Sequence, residues 1–250
     1  MAISLDSLNH AGDPAHVMIV HGPPGVGKTT MLASLPSPVM LQTERGKGKN
    51  EVPSWRINNF AELKEAFGVA VESGKFKTIL ADSLDHAEPL VWAEACRRNG
   101  WSSIEQPGYG RGYIEADNVW REIWEYIESA AYDMDMVVAM TAHSVKVRFE
   151  DPEGAAYDRW EMKMHKRARS FFEEKADMIL FANFDTATSE LKEGMQKRVI
   201  GKGAGTRSVY AEKRPAFDAK NRHDLPPKVV LQKPFDWEPY AAAFPEGYFA

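Results

Sequence analysis

The chain has 250 residues, 44% of them hydrophobic and 27% charged, with a formal net charge of −5 at pH 7. That balance excludes a collagen-like, fibrous or disordered acidic chain, and the negative total excludes a wholly basic, histone-like binder while allowing a local basic face. One cysteine, Cys96, permits no intramolecular disulfide, and neither a membrane-spanning apolar run nor a secretory leader is visible, so a soluble, cytoplasmic protein is expected.

The length suits a single domain over 1–250 with a short N-terminal arm over 1–15. Val17-Met-Ile-Val20 reads as a strand that runs into a Gly/Pro-rich turn, and a helix follows over 27–34 until Pro36 and Pro38 punctuate it. Val39-Met-Leu41 is a second strand, followed by a Gly/Lys-rich loop over 46–50. Leu63, Ala66, Phe67 and Val71 recur at helical spacing over 61–72. Thr78-Ile-Leu-Ala81 is a third strand ending at Asp82, and an Ala/Trp/Leu-rich helix runs over 86–98. A loop over 99–112 holds Pro107 and Gly108-Tyr-Gly-Arg-Gly112, and the helix after it, over 113–132, carries Val119, Ile123, Trp124 and Ile127 on one stripe. Residues 136–141 make a fourth strand, nearly all apolar, with His143 expected at its end. Val145-Lys-Val-Arg-Phe149 and Arg159-Trp-Glu-Met-Lys-Met164 alternate apolar with charged residues, as solvent-facing antiparallel strands do. A helix over 167–175, a strand over 178–182 and shorter β-like pieces up to Leu231 follow. The expected class is α/β: a mainly parallel central sheet flanked by helices, with antiparallel strands toward the C-terminal end.

Gly22-Pro-Pro-Gly-Val-Gly-Lys-Thr29 matches the phosphate-loop pattern G-x-x-x-x-G-K-[ST], and it falls between a strand and a helix, as that loop requires. Glycines let backbone N–H groups turn inward around a phosphate, and the helix N-terminus adds its partial positive charge. The expected nucleotide contacts run through Gly22, Pro23, Pro24, Gly25, Val26, Gly27, Lys28, Thr29 and Thr30, with ATP as the nucleotide and Lys28 set against its β- and γ-phosphates. The Thr29 hydroxyl and the strand-end Asp82 are the expected Mg²⁺ ligands. A single strand-end Asp leaves the attacking water without a base. Glu44, after the second strand, is the candidate to orient that water, and His143 the candidate to meet the γ-phosphate or the water. The bland alternatives are a glycine turn, a capping Asp, a solvated Glu beside Arg45 and a capping or core His.

In this order the parts resemble the RecA/RadA recombinase core, and more closely the short phage-encoded, RecA-like nucleotide-binding proteins grouped with single-strand annealing proteins. The resemblance rests on Gly22-Pro-Pro-Gly-Val-Gly-Lys-Thr-Thr30, Gln42-Thr-Glu-Arg-Gly46, Ile79-Leu-Ala-Asp-Ser83, Tyr109-Gly-Arg-Gly-Tyr113, Thr141-Ala-His143 and Ala219-Lys-Asn-Arg222, which span nearly the whole chain. It implies a RecA-like P-loop ATPase, stimulated by DNA, with His143 where the family carries a polar sensor of the γ-phosphate. It also implies that Lys220 and Arg222 reach the nucleotide of a neighbouring subunit, in a ring or filament of the chain with itself. Pro23 and Pro24 bring the loop closer to AAA-type ATPases.

Lys146, Arg148, Arg159, Lys163, Lys166, Arg167 and Arg169 follow His143 and flank Glu150-Asp-Pro-Glu-Gly154, which reads as a mobile hairpin tip. Phe149, Tyr157 and Trp160 interleave with them as stacking surfaces for single-stranded DNA, and Lys192, Lys197, Arg198, Lys202, Arg207, Lys213 and Arg214 continue the bias. Plain solvation of a strand face is the alternative. The segment Tyr109 to Tyr113 reads either as a second DNA loop or as a turn into a helix. The leading expectation is an ATP- and Mg²⁺-dependent ATPase that promotes annealing or recombination of single-stranded DNA in phage metabolism, in the host bacterial cytoplasm, with a phage or host single-strand-binding protein as a further partner. The alternatives are a nucleotide-gated adaptor or loader without DNA contact, and a small-molecule phosphotransferase. Cys96 reads as a buried small apolar residue. The seven histidines show no metal-ligand spacing with Cys96 or each other, which argues against a zinc site.

Overall fold

The computed structural model describes residues 12–46, 49–152, 154–193 and 196–250, with the backbone alone over 186–193 and 196–204. Most of the expected N-terminal arm, and the side chains of Lys192, Lys197, Arg198 and Lys202, lie outside that description. In chain order the elements are β1 (Val17–Gly22), α1 (Lys28–Leu32), β2 (Pro38–Gln42), β3 (Ser54–Arg56), α2 (Phe60–Glu72), β4 (Thr78–Asp82), α3 (Leu84–Asn99), α4 (Arg111–Glu128), β5 (Val137–Phe149), β6 (Tyr157–Met162), α5 (Lys166–Lys175), β7 (Met178–Glu193), β8 (Gln196–Tyr210) and β9 (Lys228–Val230). Strands β3, β2, β4, β5, β1 and β7 lie side by side in that order, all parallel. Beyond β7 the sheet continues antiparallel through β8 and β9, and β6 pairs antiparallel with the outer part of β5. This is the α/β arrangement that the alternation of apolar runs and helical patterns predicts.

Period-two geometry makes each central strand serve two cores. Val17 and Ile19 of β1 point into one, and Met18 and Val20 into the other, so the whole strand is buried. The first core is closed by α2 to α5. On α4, Ala116, Val119, Trp120, Ile123, Trp124 and Ile127 form one buried stripe at helical spacing, each large side chain contributing about 1.5–3 kcal/mol by burial. At the start of α2, Asn59 Oδ1 accepts from Glu62 N (2.9 Å) while the Glu62 carboxylate accepts from Asn58 N (2.7 Å), a variant of the capping box.

Among the described residues, no long helix lies over the second face. The short α1 and an aromatic group of Phe235, Trp237, Tyr240, Phe244 and Tyr248 close it instead. Trp237 Nε1 donates to Ser34 Oγ at 2.9 Å, and the Tyr248 hydroxyl meets that of Thr78. Among the described residues, no helix is long and apolar enough to cross a membrane.

Several expectations are corrected. His143 does not end its strand: β5 runs unbroken through it to Phe149, because Gly22 pairs with it on one side and β6 takes over pairing from Ser144. The pieces expected after Ala182 are instead a long antiparallel ribbon of β7 and β8 with a register shift between Phe184 and Thr186. Cys96 is half-buried on α3 rather than buried. Gly110 is the left-handed residue before α4, and a Cβ on Gly112 would stand 1.9 Å from the Ile104 carbonyl oxygen, so the glycines of the Tyr109 segment form a turn into a helix.

Candidate nucleotide site

The C-terminal ends of the parallel strands share one sheet edge, and the register decides which residues meet there: Gly22 lies beside His143, and Gln42 beside Asp82. The turn after β1 has its glycines for identifiable reasons. A Cβ on Gly22 would lie 2.1 Å from the Ala182 carbonyl oxygen of β7, and Gly25 and Gly27 hold φ of +73° and +111°. Lys28 is buried at the start of α1, and its ammonium reaches back across the loop to donate to the carbonyls of Gly22 (3.0 Å) and Pro23 (3.1 Å). Burial lowers its pKa below the usual lysine range, although Asp85, Asp82 and Glu44 all oppose that shift.

Asp82 is fixed by neighbours on both sides. The Thr29 hydroxyl lies 3.2 Å from each of its carboxylate oxygens, and Thr141 of β5 donates to it from within the sheet. One strand separates β1 from β4, which is why Thr141 can reach Asp82 while Thr29 faces it across the loop. The backbone beyond Asp82 is tied to the end of β2: Thr43 N donates to Asp82 O at 2.9 Å, and the Thr43 hydroxyl both donates to Ser83 O (2.7 Å) and accepts from Ser83 N (2.9 Å). Glu44 N also donates to Asp82 O, which carries Glu44 into the same corner.

Glu44 and His143 converge there. Glu44 Oε2 lies 4.0 Å from His143 Nδ1 and 3.5 Å from Nδ1 of His86 on α3. Asp85, almost wholly buried, grips His143 twice, accepting from its backbone N–H and from Nδ1, both at 3.0 Å. Burial raises the Asp85 pKa, but the bonds from the His143 side chain and backbone outweigh it and hold the carboxyl well below the usual range. Sequence reasoning missed Asp85 and His86. Their signal was the run Asp82-Ser-Leu-Asp-His86, whose last two residues fall on the first turn of α3.

A buried histidine ties the loop to the rest of the molecule. His21, immediately before Gly22, has its Nδ1 2.9 Å from Ser144 Oγ and its Nε2 2.8 Å from the Asp218 carbonyl oxygen. Burial pushes its pKa down to about 4, so the ring is neutral at pH 7. A carbonyl can only accept, so Nε2 carries the proton and Nδ1 accepts from Ser144.

These groups line a cleft of about 620 Å³ that holds Gly25, Lys28, Thr29, Glu44, Asp82 and His143. It continues past Gly27 into a pocket of about 390 Å³ whose walls include Met31, Val52, Leu231 and Phe235. Arg207 of β8 lines both and donates to Val26 O at 3.1 Å. A polar end against a loop of backbone N–H groups, joined to an apolar end, is the shape of a nucleotide: phosphates at one end, base at the other.

A family profile described as an AAA domain, AAA_24, matches residues 15–223, a span that takes in Gly25, Lys28, Thr29, Glu44, Asp82 and His143 of the polar end. The chain belongs to this family of P-loop AAA-type NTPases. No curated protein matches the chain. An AAA domain binds a nucleoside triphosphate, typically with Mg²⁺, and the residues here fit both. The loop lacks a Cβ where a phosphate approaches, and Thr29 with Asp82 offers a hydroxyl and a carboxylate, the oxygen donors a hard Mg²⁺ ion takes.

Other expected site residues of this AAA domain are placed elsewhere. Lys220 is turned into the protein, donating to the carbonyls of Glu173 (3.0 Å), Glu174 (2.7 Å) and Ala176 (2.5 Å), where it caps the C-terminus of α5. It is therefore committed within its own chain rather than offered to a neighbour, whereas Arg222 is exposed. Of the basic residues after His143, Lys146, Arg148, Lys163 and Lys166 are exposed, and Arg167 is exposed but paired with Asp117 at 2.6 Å. Arg159 is buried and paired with Asp218, and Arg169 is paired with Glu161 and Glu173. Arg159 is thus built into the hairpin, and Arg169 ties α5 to it through Glu161.

Proposed function

We propose that this AAA domain is an ATP-hydrolysing, Mg²⁺-dependent protein that acts on single-stranded DNA, promoting annealing or recombination of the kind phage DNA metabolism uses. The observation that carries the reading is the course of β5, which passes from Thr141, buried against Asp82, and His143 in the cleft to Lys146 and Arg148 on the hairpin without a break. In the cleft, Lys28 sets its charge against the phosphates, and Glu44 orients the attacking water and accepts its proton. His143 donates a hydrogen bond from Nδ1–H to Asp85, which fixes the ring and leaves Nε2 to meet the γ-phosphate or the water. Mg²⁺, when bound at Thr29 and Asp82, supplies neutralisation of the phosphate charge.

On the hairpin, Lys146 lies 5.0 Å over the Trp160 ring and Phe149 packs on Tyr157, a cationic and aromatic surface suited to an unpaired strand. Contacts connect the two ends: His21 beside the loop bonds Asp218, and Asp218 pairs with Arg159 of the hairpin. Arg222 is the group left to reach a neighbouring copy's nucleotide, and turnover per protomer that rises with protein concentration tests that sharing. The primary test is ATP turnover by the wild type and by Lys28→Ala. Loss of turnover in a folded variant supports hydrolysis in this cleft, and wild-type turnover without Lys28 sinks it. The competing reading, a nucleotide-gated adaptor, shares the cleft and parts from this one at the hairpin.

A further inference from the structure

Two imidazoles and a carboxylate stand together at the cleft, beside the corner that holds Asp82. Glu44, His86 and His143 each bring one ligand atom, and the three lie within 4.8 Å of one another. The separations from Glu44 Oε2, 3.5 Å to His86 Nδ1 and 4.0 Å to His143 Nδ1, are close to the roughly 3.3 Å between ligands around a tetrahedral ion with bonds of about 2.0–2.1 Å. The sequence spacing gives no hint of this, because the three come from the end of β2, the first turn of α3 and the middle of β5.

We propose that Glu44, His86 and His143 form a site for a borderline divalent transition ion of the Zn²⁺ type, separate from the Mg²⁺ position, and that its occupation stops hydrolysis. Nitrogen donors decide the class of ion. Mg²⁺ demands oxygen ligands in an octahedron and gives up its water reluctantly, whereas imidazole suits Zn²⁺, Co²⁺ and their neighbours. The surroundings complete the case. When an ion takes the place of the Nδ1 protons, Asp85 Oδ2, 3.0 Å from His143 Nδ1 and 3.4 Å from His86 Nδ1, stands where it can join as a second carboxylate ligand. Ser83 Oγ lies 2.9 Å from His86 Nδ1. His86 and Glu44 are each about two-fifths to one-third exposed, 41% and 35%, so an ion has a route in from solvent and keeps room for a water ligand. A carboxylate bound to such an ion cannot orient a water for attack. That consequence rests on the ATPase reading; the binding of the ion does not.

The experiment uses Co²⁺ as a spectroscopic probe on the full chain without nucleotide. The expected result is one equivalent bound per chain, with the intense visible absorption of a four- or five-coordinate ion. Zn²⁺ displaces it and millimolar Mg²⁺ does not. His86→Ala, an exposed change that leaves the fold in place by circular dichroism, weakens binding at least about tenfold, and His86→Gln does the same. Co²⁺ binding that is absent, or equally tight in both variants, overturns the site. A parallel titration of Zn²⁺ into the Mg²⁺-ATP reaction compares each protein with its own metal-free rate, and wild-type turnover should fall at a Zn²⁺ concentration that spares His86→Ala. Bound Co²⁺ with a wild type that never hydrolyses ATP keeps the site and sinks the ATPase reading. Equal inhibition of wild type and His86→Ala overturns the inhibitory role.

Discussion

From Val137 to Ala142, β5 is buried residue after residue; from Val145 to Phe149 the same strand is exposed or half-buried throughout. The polar groups of the inner part all have partners: Thr141 on Asp82, His143 on Asp85, Ser144 on His21. The bonds from Thr141 and His143 are to carboxylates and are worth about 1.5–3 kcal/mol each, and Ser144 bonds the neutral His21, so the corner is held in one arrangement before any ligand arrives. The outer part is held differently. Arg148 meets Asp158 at 3.4 Å with both side chains more than half exposed, a pair worth roughly 0–1 kcal/mol, which a phosphate readily displaces. The difference teaches that one strand carries a fixed polar corner and a loosely held cationic tip, which the proposed reading uses for hydrolysis and for strand binding in turn.

Changes in the inner region should be the most damaging. Lys28→Ala, the test of hydrolysis itself, should bring turnover to background. Glu44→Gln keeps the shape and loses the base, so ATP should bind as before while turnover falls about a hundredfold or more. Equal loss of binding and turnover, measured by equilibrium binding beside single-turnover kinetics, would mean that Glu44 only supports the corner. At the outer region the effect should be smaller: Lys146→Ala with Arg148→Ala should weaken binding to labelled single-stranded DNA about tenfold and flatten its salt dependence, with ATP turnover in the absence of DNA unchanged. Unaltered DNA affinity would favour the adaptor reading.

The buried side also predicts a pH signature. His21 is pushed down to about 4 and Glu88 on α3 is pushed up to about 7, both chiefly by burial. For His21 the unfolded chain binds more protons, so its contribution is lost as pH falls from about 6.5 to about 4; for Glu88 the folded state binds more, so its contribution is lost as pH rises from about 4.5 to about 7. Each is worth roughly 3 kcal/mol, and over the shared window they oppose. Glu88→Gln keeps an acceptor for the His165 N–H and removes one side of that opposition. Denaturant unfolding of the variant at pH 6.5 and 4.5 should show acid destabilisation larger than the wild type's by roughly 2–3 kcal/mol. Identical pH dependence in the two proteins would contradict the assignment.

What the sequence made legible follows the range of the forces involved. The glycines of the loop answer local backbone demands, the φ of Gly25 and Gly27 among them, and local demands leave a local pattern. The strands that end at Gly22 and Asp82 announce themselves by continuous apolar runs. Arg207 and the Leu231–Phe235 wall reach the cleft from far along the chain, and nothing near them in sequence marks that destination. Lys220 illustrates the converse. Its place beside Arg222 suggests an outward pair of cations, but the carbonyls at the end of α5 draw one of them inward. Burial of Arg159 likewise depends on Asp218, a partner the alternating pattern of the hairpin cannot reveal.

The most direct test of the link between the two parts of β5 is steady-state ATP turnover at saturating Mg²⁺-ATP, with and without single-stranded DNA. The account predicts turnover that rises with DNA in the wild type and rises far less in the Lys146→Ala, Arg148→Ala protein. Turnover indifferent to DNA in the wild type would contradict it.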